Sequence, residues 1–399
     1  MFNSIYIGLT GLIAFSKDLS IIGNNVANLN TPGFKGSQLL FSDLFYRTQF
    51  SDTNSSGANV RLDIGNGVGT NTTRLVFTQG ELKQTGNDQD VALTGNGFFV
   101  LRKDGETFYT RNGQFNFDAD GFLVASSGGA RVAALVNGQL QDINVLGLRT
   151  NAGRATTKIE FSGILDSNAS SSSPFTISNI NAFDANGITH TLSASFTNNG
   201  IITPGSWLVD VKDEHGDLVS TGEIRFNTDG TPAVAFNSFD VDLGGGQSVQ
   251  LFFGDPGSVS GARSLASSSS SLAVSQQDGF GAGSLTRASF DANGTMTLLY
   301  SNGQTIEGDT LALASFSFLQ GLKEEGNLFR PGHEAPVLGN AGQGTFGTLT
   351  GGSIELANVD LAQQFSDLII SQRGYQASSQ VISTANDMIQ QLYDMKSKR

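Results

Sequence analysis

FNSIYIGLTGLIAFSKDLSIIGNNV (residues 2–26) sets Phe2, Ile5, Leu9, Leu12, Leu19 and Val26 on one alternating three-four stripe, interrupted by Ser16 and Gly23. Near the other end of the chain, Leu361, Phe365, Leu368, Tyr375, Ile382, Ile389 and Tyr393 repeat the pattern, interrupted by Gln372, Ser379 and Asn386. Apolar residues at that spacing make a seam for helix-helix packing. Full burial contributes about 1.5–3 kcal/mol per side chain, while ordering the backbone costs about 1–2 kcal/mol per residue. Two such helices packed only on each other are therefore marginal. A second stripe, Val381, Ala385, Met388, Leu392 and Met395, is available to neighbouring copies. The sequence thus predicts ends that fold on assembly. The expected polymerisation interface is Ile5, Leu9, Leu12, Leu19, Val26, Leu361, Phe365, Leu368, Tyr375, Ile382 and Ile389.

The first helix is predicted over Asn3–Leu29, stopped by Asn30-Thr31-Pro32-Gly33. The closing helix is predicted to start near Asp360, where Asp360-x-x-Gln363 reads as a capping box, and to run to Lys396. Gly374 inside it costs about 1 kcal/mol relative to alanine unless another backbone must pass close by. Between the helices, short runs such as Leu75-Val76-Phe77, Gly97–Leu101 and Thr107–Thr110 read as strands. A recurring phrase marks hairpins: Phe117-Asp118-Ala119-Asp120-Gly121, Phe183-Asp184-Ala185-Asn186-Gly187, Phe226-Asn227-Thr228-Asp229-Gly230 and Phe290-Asp291-Ala292-Asn293-Gly294. Each is expected to end a strand on a buried phenylalanine and to turn on glycine at positive φ.

The fold class is therefore mainly β with terminal α-helices, the helices forming a coiled-coil-like inner domain and nested, discontinuous β-domains lying between them. Residues 1–29 plus 360–399 form the helical domain and 30–69 a connector. Residues 70–145 plus 279–359 form an inner β-domain, and 146–278 an inserted outer β-domain. Serine-rich stretches at Ser167–Ser173 and Ser267–Ser271 bracket the block that holds Trp207. Bracketing of this kind fits an inserted domain, and two surface loops read the same way.

Composition narrows the chemistry. A chain of 399 residues suggests two to four domains. A net charge of −13 with no basic run speaks against nucleic acid as a partner. Cysteine is absent, so disulfides and thiolate metal sites are excluded. The Asp-x-Asn-Gly phrases lack the twelfth-position acid of a helix-flanked calcium loop, and the Gly65–Gly69 and Gly279–Gly283 runs lack a phosphate-loop lysine. His190, His215 and His333 are scattered, and Asp213-Glu214 reads as a solvated hairpin tip. Neither an active site, a cofactor nor a metal is expected. Ile5–Phe15 is apolar enough to imitate a signal peptide, but no basic region precedes it and no small-residue cleavage site follows. A retained helix is expected, and no apolar run reads as long enough to span a bilayer.

Asn24-Asn25-Val26-Ala27-Asn28-Leu29-Asn30-Thr31-Pro32-Gly33-Phe34-Lys35 resembles the amino-terminal signature of the bacterial flagellar rod and hook family. Asn358-Val359-Asp360-Leu361, followed by Gln372-Arg373-Gly374-Tyr375-Gln376, resembles its carboxy-terminal signature. Thr78–Leu82, Gly95–Phe99 and Tyr109-Thr110-Arg111-Asn112-Gly113 are also similar to the family pattern. The motif positions are Asn24, Asn25, Ala27, Asn28, Thr31, Pro32, Gly33, Phe34, Asn358, Val359, Asp360, Gln372, Arg373 and Gln376. The length of the block after Leu146 fits the hook branch of the family better than the shorter distal-rod branch. The resemblance implies a homopolymer that forms a curved, flexible tube carrying motor torque from rod to filament. It also implies export without a cleaved signal, a site in the flagellar hook outside the cell, and contacts with rod, hook-cap and hook-filament junction proteins and the export apparatus. It implies no membrane insertion. A rod-type axial subunit, a secreted β-rich adhesin and, third, a glycan-cleaving enzyme are the rival readings.

Overall fold

Phe2–Ala27 forms helix α1 and Leu361–Ser397 forms helix α2. A computed structural model describes residues 2–44, 47–51, 60–244, 246–267, 269–332, 334–344 and 346–397. His333 and the 52–59 part of the expected connector lie outside the described residues. α1 ends two residues before the expected Leu29, because tight turns take over: Leu29 N–H donates to Val26 O and Thr31 N–H to Asn28 O. At the start of α2, Asp360 Oδ1 accepts from the N–H groups of Ala362 and Gln363, satisfying two otherwise free donors. The second half of the expected capping box is missing. The Gln363 side chain donates forward to Asp367 instead of accepting from the Asp360 N–H.

The chain divides into two units, one of 1–146, 288–297 and 307–399, the other of 147–287 and 298–306. Residues 279–287 and 298–306, expected with the inner β-domain, belong to the second unit. In the first unit the expected connector is itself β-structure. Ser37–Asp43 pairs antiparallel with Val68–Leu75, and Arg47–Ser51 with Val60–Ile64. The main sheet of this unit carries Phe98–Lys103 between Glu106–Thr110 and Arg131–Val136. Its core gathers Phe98, Tyr109, Phe329 and Phe316, with Phe98 edge-on to both Phe316 and Phe329.

In the second unit, Phe175–Phe183, Thr189–Asn198, Ser206–Lys212 and Leu218–Arg225 form an antiparallel meander. A second sheet is built on Lys158–Asp166, which pairs parallel with Ser248–Phe252 and Ala262–Leu265 and antiparallel with Ala273–Gln277. Alternation decides what is inside: Leu192, Ala194 and Phe196 are buried, and the residues between them are not. One core of Phe161, Phe196, Trp207 and Phe253 serves both sheets, with Phe161 stacked on Phe253 at 4.9 Å.

The four repeated phrases are all turns. In three of them the first Asp accepts a backbone N–H four residues on, Asp118 from Phe122, Asp184 from Ile188 and Asp291 from Thr295. Gly121, Gly187, Gly230 and Gly294 all sit near φ +80. The phenylalanine rule holds at two of the four: Phe226 and Phe290 are buried, whereas Phe117 and Phe183 are half-buried. Asp213 makes the same turn, accepting from His215 and Asp217.

Phe253→Ala is expected to weaken the second unit by about 3–5 kcal/mol. Trp207, the only tryptophan, reports that unit. Its fluorescence transition in urea should move to lower denaturant, while the helical circular dichroism of the first unit keeps its midpoint.

Candidate assembly surface and its anchor

α1 and α2 run antiparallel and meet on their smallest residues. Gly8 faces Ile382, Gly11 faces Ser378, and the Phe15 ring lies on Gly374. A Cβ added at Gly11 would sit 2.7 Å from Ser378 Oγ, and one at Gly374 2.5 Å from the Phe15 ring. What comes close to Gly374 is therefore the Phe15 ring, a side chain, and not the passing backbone the sequence reading allowed for. Further along, Ser371 donates to Asp18, and Asn25 Nδ2 donates to Gln364 Oε1 at 2.9 Å. The contact line on α1 is Gly8, Gly11, Phe15, Asp18, Ile22 and Asn25. On α2 it holds Gln364, Ser371, Ser378 and Ala385 at seven-residue intervals.

The line is a heptad seam, but not the expected one. On α1 it lies one residue out of phase with the large apolar stripe, a rotation of about 100°. None of the expected interface residues is buried in the single chain. Leu9, Leu361, Phe365 and Tyr375 are exposed, with Phe365 at 51%, while Ile5, Leu12, Leu19, Val26, Leu368, Ile382 and Ile389 are intermediate. Tyr6, Ile7, Ile13, Ile369, Ile370 and Val381 are exposed as well. Ala385, assigned to a neighbour's surface, is instead buried in the seam. Sequence reading also missed that Asn3–Ala27 is apolar and long enough, by length and composition, to cross a bilayer. Many of its large apolar side chains, Tyr6, Ile7, Leu9 and Ile13 among them, are exposed, while Phe15 and Ile22 lie in the seam.

Where the helices join the β-body, motif residues from distant parts of the chain close a buried polar knot. The Lys35 ammonium donates to Glu355 Oε1 at 2.7 Å and to Thr78 O at 2.9 Å. Arg111 donates to Glu355 Oε2 at 3.5 Å and to Gly95 O at 2.6 Å, with its guanidinium over the Phe98 ring. Gly80 N–H donates to Glu355 Oε1 as well. The side chains of Lys35 and Glu355 are wholly buried and that of Arg111 nearly so. Burial holds both cations below their usual range, and the pull of Glu355 offsets only part of it.

Asn358 completes the knot: it accepts from Gly36 N–H and donates to Val76 O and Thr78 O. Asn25 clasps Ser37 by donating to its carbonyl and accepting from its N–H. Gly33, at φ +70, passes so close to Arg111 and Asn112 that a Cβ there would lie 2.5 Å from the Asn112 nitrogen. Phe34 is buried beside it. Asn24, Ala27, Asn28, Thr31 and Pro32 shape the exit of α1, while Val359 and Asp360 lead into α2. Gln372, Arg373 and Gln376 are elsewhere, on the exposed face of α2. Glu355 carried no sequence signal, since it sits in an ordinary short strand, Ser353–Glu355.

Family models match in three places. One described as "Flagella basal body rod protein" matches residues 5–35, one described as "Flagellar hook protein FlgE/F/G D1 domain" matches 92–160, and one described as "Flagellar basal body rod FlgEFG protein C-terminal" matches 350–395. The chain is 30% identical to the flagellar hook protein FlgE of Escherichia coli strain K12, over 97% of this chain and 98% of that one. It is 29% identical to FlgE of Borreliella burgdorferi, over 99% and 100% of the two chains. Against the basal-body rod protein FlgG of Agrobacterium fabrum it is 37% identical, over 39% of this chain and 61% of that one.

Each matched region contributes one member of the buried charge cluster: Lys35, Arg111 and Glu355. Removing one partner of a buried pair costs about 3–5 kcal/mol. Glu355→Gln strands two cations and is expected to reach that range, while Lys35→Met leaves Arg111 paired with Glu355 and should cost less. Urea denaturation of the two monomeric variants measures the order. The opposite order would mean that charge is not what holds the knot.

Proposed function

We infer the function of this chain from its family: it belongs to the flagellar hook proteins and is a structural subunit of the bacterial flagellar hook. Full-length agreement favours the hook over the rod, because the likeness to the rod protein is confined to 39% of this chain. As a hook subunit it polymerises with copies of itself into the curved tube that carries torque from rod to filament.

The single observation that carries the mechanism is the helix pair whose seam runs through Gly8, Gly11, Phe15 and Ile22 while the large apolar stripe stays outside. Monomeric proteins seldom leave large contiguous apolar patches open. We propose that Ile5, Leu9, Leu12, Leu19, Val26, Leu361, Phe365, Leu368, Tyr375, Ile382 and Ile389 meet neighbouring copies, so that α1 and α2 line the tube. The 30–69 segment then serves as a connector: its ribbon holds α1 through Lys17 to Thr70 and through Phe15 against Phe41. The inner and outer β-domains form the layers outside the helices.

The proposal extends to contacts with rod, cap and junction proteins and with the export apparatus, and to export without a cleaved signal. We also propose that the chain is not an enzyme and does not insert in a membrane. Asp18 and Asn25 on α1 are engaged by α2, which supports the last point.

Phe365→Ala separates assembly from folding. Because Phe365 is half exposed in the single chain, the monomer should keep its stability to within about 0.5 kcal/mol. Polymerisation, followed by sedimentation and electron microscopy, should fail. Normal tubes from this variant would remove α2 from the proposed interface.

A further inference from the structure

The chain holds four Asn-x-Ser/Thr phrases, at Asn54, Asn71, Asn168 and Asn293, and each has the sequence form of an N-glycosylation acceptor. In that chemistry a sugar joins the Asn side-chain nitrogen, which must be reachable from solvent. Asn54 lies outside the described residues. Asn71 is inside the strand Val68–Leu75, which is paired along Ser37–Asp43. Asn293 sits in a tight turn: Asp291 Oδ1 accepts from the N–H groups of Asn293 and Thr295, and the Thr295 hydroxyl is bonded to that of Thr310 at 3.3 Å. Both of these phrases are held by the sheet or turn that contains them.

Asn168-Ala169-Ser170 differs. It lies in the serine-rich loop between the strands Lys158–Asp166 and Phe175–Phe183, and Asn168 and Ser170 are both exposed. The backbone is held, since Asn168 N–H donates to Asp166 Oδ1 at 3.0 Å and Asn198 Nδ2 donates to Ala169 O at 3.1 Å. The Asn168 side-chain amide, by contrast, has no hydrogen-bond partner among the described residues. Beside it is an open recess of about 530 Å³ within the second unit, lined by Asn168, Ser170, Asn198, Ile201 and Ser264 among others. That volume falls in the range of about 300–1,000 Å³ for small-molecule sites. The lining carries hydroxyls, amides and apolar edges and no charged side chain, which suits the hydroxyl groups and C–H faces of a sugar. Ile201 is 90% exposed there, an apolar surface that an attached sugar can cover.

We propose that Asn168 is an N-glycosylation site, which takes its sugar from a glycosyl diphosphate donor. In the transfer, Asn168 Nδ2 attacks the anomeric carbon of the sugar. The new nitrogen–carbon bond forms as the bond from that carbon to the diphosphate oxygen breaks. The diphosphate leaves with the electron pair, and the amide gives up one proton to it. Nothing is oxidised or reduced. Ser170 is the hydroxyl by which the phrase is read, and the serines after it are bystanders.

Cleavage after Lys158 and Lys212 releases a peptide that contains Asn168 and none of the other three phrases. That peptide is taken from the chain isolated from the bacterium that makes it, and is fragmented in a mass spectrometer with the sugar retained. A sugar increment on Asn168 that survives alkaline β-elimination is expected. A single sugar there identifies a nucleotide-linked donor, and a preassembled oligosaccharide a lipid-linked one; both support the site. Expressed in the same cells, Ser170→Ala should lose the increment, while Ser170→Thr and Ser173→Ala should keep it. These positions are exposed, so the variants should fold as the parent does. A bare Asn168 in the native chain overturns the proposal, whether the other phrases are occupied or not. So does a sugar on the serines of the loop, which alkali releases. An increment that persists in Ser170→Ala shows that the phrase is not what is read, and overturns the assignment as well.

Discussion

Gly8, Gly11 and Gly374 each receive a side chain of the opposite helix, Ile382, Ser378 and Phe15, with no room for a Cβ of their own, and that shortage of space governs the rest of the first unit. Two helices brought this close gain van der Waals contact and short polar bonds along a narrow line. They bury few of their large side chains in doing so. The apolar surface is pushed to the outside of the pair, where only another molecule can cover it. In the proposed assembly, attraction between copies is thus a consequence of how tightly one copy packs on itself.

The knot of Lys35, Arg111 and Glu355 anchors that pair to the β-body. Buried charges contribute little net stability compared with an apolar core, since desolvation offsets much of their attraction. Their strength is in geometry: Glu355 accepts from Lys35, Arg111 and Gly80, and few other arrangements satisfy all three. Asn358 and Asn25 extend the same logic by tying both helix ends to the ribbon. In the proposed assembly, torque applied to the helices passes into the β-body through bonds with fixed direction, while apolar faces between copies, being non-directional, can slide.

Element types, turns and the helix cap were legible in the sequence because their causes are local. Asp360 caps α2 from one position away, and each Asp-x-x-Gly turn closes within five residues. The phenylalanines before those turns were less legible. Phe117 and Phe183 remain half-buried because burial depends on what packs above the strand, which a hairpin phrase does not encode.

By itself the sequence determined that both ends are helices, that strands fill the middle, and which stretches mark the hook family. Tertiary structure alone decided which heptad faces inward. α1 carries two heptad lines at the same spacing, one with Gly8 and Gly11 and one of large apolar residues, and periodicity cannot rank them. Close approach of the two helices can, because only the line that carries Gly8 and Gly11 permits it. Likewise, Lys35 and Glu355 are 320 residues apart. No local rule joins two such charges, and only the folded chain, by excluding water around them, makes their pairing necessary.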